Sequence, residues 1–113
     1  MQLAIATEPI REIRGDDWTW AVRLRGADEA PVDLSDCGFD GAVIKWLGGS
    51  LPLTLANGRL EVDAPNGIIT VKVARGDTAG VPPGQGTRLV LPVVDALNRK
   101  STLVIIRIAI REP

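Results

Sequence analysis

The strongest constraint on the fold is an alternation of side chains along Trp18 to Arg25. Trp18, Trp20, Val22 and Leu24 fall on one face of an extended chain, and polar or small residues fall on the other. The polar turn Arg14–Asp17 precedes this segment, and turn-forming residues follow it at 26–29. The pattern predicts a half-buried β-strand between two turns.

Segments of the same kind recur along the chain, separated by glycine, proline, asparagine and aspartate. Short strands at such intervals predict an all-β fold, an antiparallel β-sandwich of immunoglobulin-like size with about seven to eight strands. At 113 residues the chain is expected to form a single β-sandwich domain over 1–113. Its predicted core contains Trp18, Trp20, Ile44, Val71 and Ile106. The predicted strands are Leu3–Ile13, Trp18–Arg25, Gly41–Leu47, Leu51–Leu55, Arg59–Val62, Ile68–Val73, Arg88–Val94 and Thr102–Ile110.

Two local predictions are specific enough to test. Asn57 and Gly58 both tolerate positive φ and lie between alternating apolar residues, so they predict a tight hairpin. The segment 76–81 is short and rich in glycine, which allows one helical turn at most. The tripeptide Arg-Gly-Asp occurs at 14–16 and 75–77, and in both places we interpret it as turn chemistry rather than an adhesion motif.

Composition limits the possible partners. Thirteen Lys and Arg residues against fourteen Asp and Glu residues give a net charge of −1, and the positive charges are scattered singly along the sequence. This distribution predicts no basic stripe, so nucleic acid is a poor candidate partner. No apolar run is long enough for a membrane span, and the first residues do not resemble a secretory signal.

Catalytic chemistry has little material in this sequence. Histidine is absent, so a Ser/His or Cys/His pair cannot form, and zinc sites lose their usual nitrogen ligand. The lone Cys37 suggests a reducing cytoplasm during folding. We therefore predict a protein that is not an enzyme and that binds no cofactor and no metal, with a carboxylate-based hydrolase as a remote alternative.

Several segments resemble the small β-sandwich domains of tailed-phage virion proteins, in particular the N-terminal domain of the phage upper baseplate protein family. The resemblance covers nearly the whole chain, although each piece is short. It departs at the 28–30 turn, which lacks glycine, and at Cys37-Gly38, which lengthens the corner. The matching segments are Arg14–Asp17, Trp18–Leu24, Asp28–Glu29, Pro31–Ser35, Phe39–Trp46, Val81–Gly84 and Ser101–Ile110.

The resemblance implies a non-enzymatic structural component of a bacteriophage or prophage virion, made in the bacterial host cytoplasm. A tail, baseplate or fibre-attachment protein is the leading interpretation. A capsid decoration protein and a carbohydrate-binding module are the alternatives. The expected partners are other virion proteins and further copies of this chain, with no nucleic acid and no membrane.

The last two predicted strands carry apolar residues on both faces, which is more than one core requires. An inter-subunit contact in a ring or trimer would use the surplus, whereas the alternative is a loop folded over that face, for which 48–55 is the candidate. Trp46 remains open between core, protein interface and sugar platform. The candidate interface residues are Trp46, Leu89, Leu91, Leu103 and Ile105.

Overall fold

The structure, a computed structural model, describes residues 10–26 and 28–112, with only the backbone of residues 101–104. The predicted segment Leu3–Ile13 lies outside the described residues up to position 9. In the described part no helix is long and apolar enough to cross a membrane.

The described chain forms eight strands, and each predicted strand segment contributes one of them in the predicted order. Strand β7 begins earlier than predicted, and a single helical turn, α1, follows β6 as expected. The elements are β1 (Ile10–Ile13), β2 (Trp18–Arg23), β3 (Val43–Trp46), β4 (Gly49–Pro52), β5 (Leu60–Asp63), a 3₁₀ turn (Ala64–Asn66), β6 (Ile68–Val73), α1 (Arg75–Thr78), β7 (Gly84–Val94) and β8 (Lys100–Arg111).

Two sheets make the sandwich. The five-stranded sheet has the order β1-β8-β7-β3-β4 and the three-stranded sheet has the order β2-β6-β5. All pairs are antiparallel except β1 with β8, which is parallel. Strands β8-β7-β3-β4 and β2-β6-β5 reproduce the two-sheet order of an immunoglobulin sandwich. The predicted antiparallel, immunoglobulin-like β-sandwich is confirmed.

The core lies between the facing sides of the two sheets, as alternation along each strand requires. On one side Trp18, Val71 and Ile69 are buried, and on the other Ile44, Leu89 and Ile106 are joined in one cross-strand register. The predicted core residue Trp20 is half-buried and packs against this cluster.

The two tryptophans of β2 also connect the sheets. Their rings stack with centroids 5.7 Å apart. Trp18 Nε1 donates a hydrogen bond to the Ile13 carbonyl oxygen at 2.9 Å, and Trp20 Nε1 donates to Glu12 Oε1 at 2.7 Å. Because both acceptors belong to β1, these bonds fasten the three-stranded sheet to the edge of the other one.

The predicted hairpin at Asn57-Gly58 is wrong. Strands β4 and β5 belong to different sheets, and residues 53–59 cross from one sheet to the other. The Asn57 side chain organises this crossover, because its Oδ1 accepts hydrogen bonds from the backbone N–H groups of Thr54 and Arg59. The tight hairpin at this edge instead joins β3 to β4 through Leu47 and Gly48, whose φ is 91°.

Candidate functional site

The outer face of the five-stranded sheet carries an apolar row that crosses four strands. Cross-strand pairing aligns Pro52 with Val43, Val43 with Val90, and Val90 with Ile105. The side chain of Ile105 is 57% exposed, and Val43 and Val90 are half-buried. We call Pro52, Val43, Val90 and Ile105 the apolar row.

A row of positive charge lies directly beside it. Lys45 pairs with Arg88 and Arg88 pairs with Arg107, and all three side chains are exposed. Residues paired across antiparallel strands share a face and have Cβ atoms about 4.5–5.5 Å apart. We call Lys45, Arg88 and Arg107 the cationic row. The prediction that the chain has no basic stripe is therefore wrong, because strand pairing assembles cations that are distant in sequence.

The same face carries two further cations. Arg11 on β1 pairs with Ala109, and Arg111 pairs with Ile13, which is 40% exposed. In the five strands as the structure describes them, Glu12 is the single carboxylate, and it accepts the Trp20 hydrogen bond. The outward positions of this sheet thus present positive charge without acidic neighbours on the strands.

A concavity of about 620 Å³ opens beside the β3–β4 edge. Its wall includes Val43, Lys45 and Pro52 from the two rows, together with Leu53 and Leu55 from the crossover to β5. Its volume lies in the range of small-ligand sites, and it is large enough to receive a side chain from a partner. The concavity and the two rows therefore form one continuous surface.

The structure places the predicted interface residues in different environments, some in the core and some on the surface. Leu89 and Leu91 have no exposed surface and pack in the core, so their assignment to an interface is wrong. The apolar surplus of β7 lies instead at Val90, one position along. Ile105 is on the outer surface, as predicted, whereas the side chain of Leu103 lies outside the described residues.

Trp46 faces inward from the end of β3. It is half-buried and packs against the core, and its ring lies over Gly49, where an added Cβ would come within 2.6 Å of Nε1. Segment 49–52, within the loop proposed to cover the outer face, is strand β4 at the edge of the same sheet. The apolar row is therefore left uncovered by that segment.

The outer face of the three-stranded sheet is different in kind. It presents Thr19, Ala21 and Arg23 on β2, Lys72 on β6, and Glu61 and Asp63 on β5. Lys72 Nζ lies 2.8 Å from Glu61 Oε1. Its charges are balanced, as is common for a solvent-facing sheet surface.

Aspartates organise the loops that follow β2 and β7. Hydrogen bonds from the side chain and backbone of Ser35 lower the pKa of Asp33. The pKa of Asp95 is also lowered, mainly because its carboxylate accepts a hydrogen bond from the backbone N–H of Arg99. Burial, and then Asp95, raise the pKa of the nearby Cys37 thiol. A thiol held protonated in this way is poorly nucleophilic.

The first Arg-Gly-Asp segment forms hydrogen bonds with the two residues that directly follow the second. The backbone N–H of Gly15 donates to Thr78 Oγ1 at 3.1 Å, and the Thr78 hydroxyl donates to the Asp16 carbonyl oxygen at 2.7 Å. Arg14 Nε donates to the Ala79 carbonyl oxygen. Residues 14–16 lie in the turn after β1 and residues 75–77 lie in the helical turn α1, so both motifs have a structural role inside the domain.

Among the described residues no group of three or more Asp, Glu or Cys side chains is placed to hold a metal ion. The sequence predicted Ile105 but not Val43, Val90 or the cationic row. Alternation along β3 and β7 could have indicated that Val43 and Val90 face outward. Only the pairing register of the strands shows that the two residues are neighbours. No family model, curated protein or solved structure matches the chain.

Proposed function

We propose that this chain is a non-catalytic binding domain that works through the outer face of its five-stranded sheet. The observation that carries the proposal is the apolar row, which leaves Ile105 57% exposed beside three aligned cations. Exposed apolar patches with a polar margin are typical of protein–protein contact sites. The concavity at the β3–β4 edge offers such a contact a place for an anchoring side chain.

We further propose that the domain is a structural component of a bacteriophage or prophage virion, a tail, baseplate or fibre-attachment protein. The support is the sequence resemblance to phage β-sandwich domains, together with the all-β sandwich that the resemblance implies. In this role the partners are other virion proteins and neighbouring copies, and contacts repeated by particle symmetry add to the affinity of each one. Its location would be the virion.

Protein contact is favoured over the carbohydrate-binding alternative by the placement of the aromatic residues. All four of them are described, and none is exposed: Trp18 and Phe39 are buried, and Trp20 and Trp46 are half-buried. A sugar-stacking platform needs an accessible aromatic face. The outer face of the five-stranded sheet offers aliphatic and cationic groups instead.

Immunogold electron microscopy tests the virion assignment. Antibody against the chain should label phage-like particles released by the source cells, at the tail or baseplate. Labelling over the capsid would show the decoration protein instead, and particles that carry no label would overturn the virion assignment.

A matched pair of variants tests the binding face. Where the particles depend on the gene, complementation with Ile105→Ser should yield fewer tailed particles than wild type. Ile68→Ser makes the same change on the outer face of the other sheet and should restore wild-type particle counts. Equal particle counts for the two variants would contradict the choice of face.

A further inference from the structure

The cationic row sets like charges beside one another on three adjacent strands. Lys45 is opposite Arg88, and Arg88 is opposite Arg107. Like charges in directly opposed positions destabilise a sheet. Within the described residues none of the three forms an ion pair with a carboxylate; the one polar contact found is a long hydrogen bond from Arg107 to Gln85 at 3.5 Å.

Some other cations of the molecule form ion pairs within the described residues. Arg14 lies 2.9 Å from Glu112, Arg59 lies 3.0 Å from Asp77, and Arg99 lies 2.9 Å from Asp95. The chain contains more acidic than basic residues, so carboxylates are not scarce. Their absence from the strands around the cationic row leaves this face complementary to an external anion.

The shape and chemistry of the face distinguish among possible anions. A second copy docked face to face about a two-fold axis would set the cationic row against the same outer face, whose described strands offer no outward carboxylate to pair with it. Single-stranded nucleic acid would find phosphate partners but no exposed aromatic side chain on which a base could stack. A protein segment can satisfy both rows, since carboxylates suit the cations and aliphatic side chains suit the apolar row.

We propose that the outer face of the five-stranded sheet docks an acidic segment of a partner protein, with its carboxylates on Lys45, Arg88 and Arg107 and its apolar side chains on Val43, Val90 and Ile105. This inference rests on the proposed function, because it specifies the partner for the same face. Carboxylates bound on the cationic row reduce the repulsion among its three side chains. The alignment of like charges, which destabilises the free domain, therefore favours binding of an acidic segment.

Binding of a labelled poly-L-glutamate peptide, followed by fluorescence anisotropy at low ionic strength, tests the charge complementarity. The wild-type domain should bind, and Arg88→Glu and Arg107→Glu should each weaken binding by about tenfold or more, which corresponds to about 1.4 kcal/mol. Arg23→Glu is the matched control, because it makes the same change of charge on the other sheet and should leave binding within about twofold. Circular dichroism checks that each variant is folded.

Several results would overturn the inference. These are no binding of the peptide at low salt, an equal loss with Arg23→Glu, or tighter binding of oligo-dT with the same dependence on Arg88. Self-association in sedimentation that Arg88→Glu abolishes would show a second copy as the occupant. Because particle labelling does not depend on this assay, a virion location could still hold when the acidic partner fails.

Discussion

The outer faces of the two sheets arise from the same alternation of inward and outward side chains, but their charges are arranged differently. The outer face of the three-stranded sheet carries both signs of charge, and Lys72 forms an ion pair with Glu61 there. The five-stranded sheet aligns Lys45, Arg88 and Arg107 with no carboxylate beside them on its described strands. A net charge of −1 therefore conceals a strongly cationic surface. Segregation of charge, rather than net charge, distinguishes the face that we propose for binding from the outer face of the other sheet.

The two faces also differ in apolar exposure. The five-stranded sheet has a row of aliphatic residues that ends at Ile105, whereas the outward positions of the other sheet are mostly small or polar, with Ile68 half-buried among them. The inward faces of both sheets are alike, because each contributes aliphatic side chains to one core. The difference in apolar exposure is therefore confined to the surface. Substitutions of these outward residues should alter it with little effect on the free energy of unfolding.

The largest expected effect comes from comparing a buried residue of β7 with an exposed residue of the neighbouring strand β8. Leu89→Ala removes a side chain with no exposed surface and should lower the free energy of unfolding by about 2–5 kcal/mol. Ile105→Ala acts on the outer face and should change it by about 0.5 kcal/mol or less. Urea unfolding followed by tryptophan fluorescence measures both.

Comparable losses for Leu89→Ala and Ile105→Ala would contradict this assignment of faces. They would mean that Ile105 is buried in solution, for example by another copy of the chain. In that case the loss at Ile105 should shrink on dilution, whereas the loss at Leu89 should not.

A smaller test compares the charge designs directly. Arg88→Glu converts two like-charge pairs into two opposite-charge pairs and should raise the free energy of unfolding by about 0.2–1 kcal/mol. Lys72→Glu breaks the ion pair with Glu61 and should lower it by up to about 1 kcal/mol. Thermal unfolding at low ionic strength should show shifts of opposite sign for substitutions of identical charge. Destabilisation by Arg88→Glu would show that the cationic row is already neutralised in the free domain.

Local patterns predicted the elements of this fold better than they predicted its connections. Strand β6 alternates so regularly that Ile69, Val71 and Val73 could be assigned to the core from sequence alone. At Asn57-Gly58 the turn was predicted correctly and the pairing was not. The reason is that Asn57 stabilises the bend through its own side chain, whether or not the flanking strands pair.

Predicting which residues line the outer face of the five-stranded sheet requires information that one strand does not contain. Strand β7 has apolar residues at both Leu89 and Val90, so alternation cannot say which one faces the core. Pairing with Ile44 and Ile106 decides in favour of Leu89. In the same way, Lys45, Arg88 and Arg107 are separated by many residues, and only the long-range register places them in a row.

The smallest effect concerns salt, and it sharpens the comparison because screening acts on the two faces in opposite directions. Sodium chloride weakens the repulsion along the cationic row and also weakens the attraction between Lys72 and Glu61, so the stability of the wild type should change little. In Arg88→Glu both faces are held by attraction, and salt should therefore lower its stability. The Debye length falls from about 30 Å at 0.01 M to about 3 Å at 1 M, so the advantage of Arg88→Glu over wild type should shrink by more than half across that range.

The double variant with Lys72→Glu should show the sum of the two single effects, because the outer faces lie on opposite sides of the sandwich and share no partners. An advantage that persists at 1 M salt would mean that Arg88→Glu stabilises the sheet through packing or strand propensity, and the repulsion assigned to the cationic row would then be wrong.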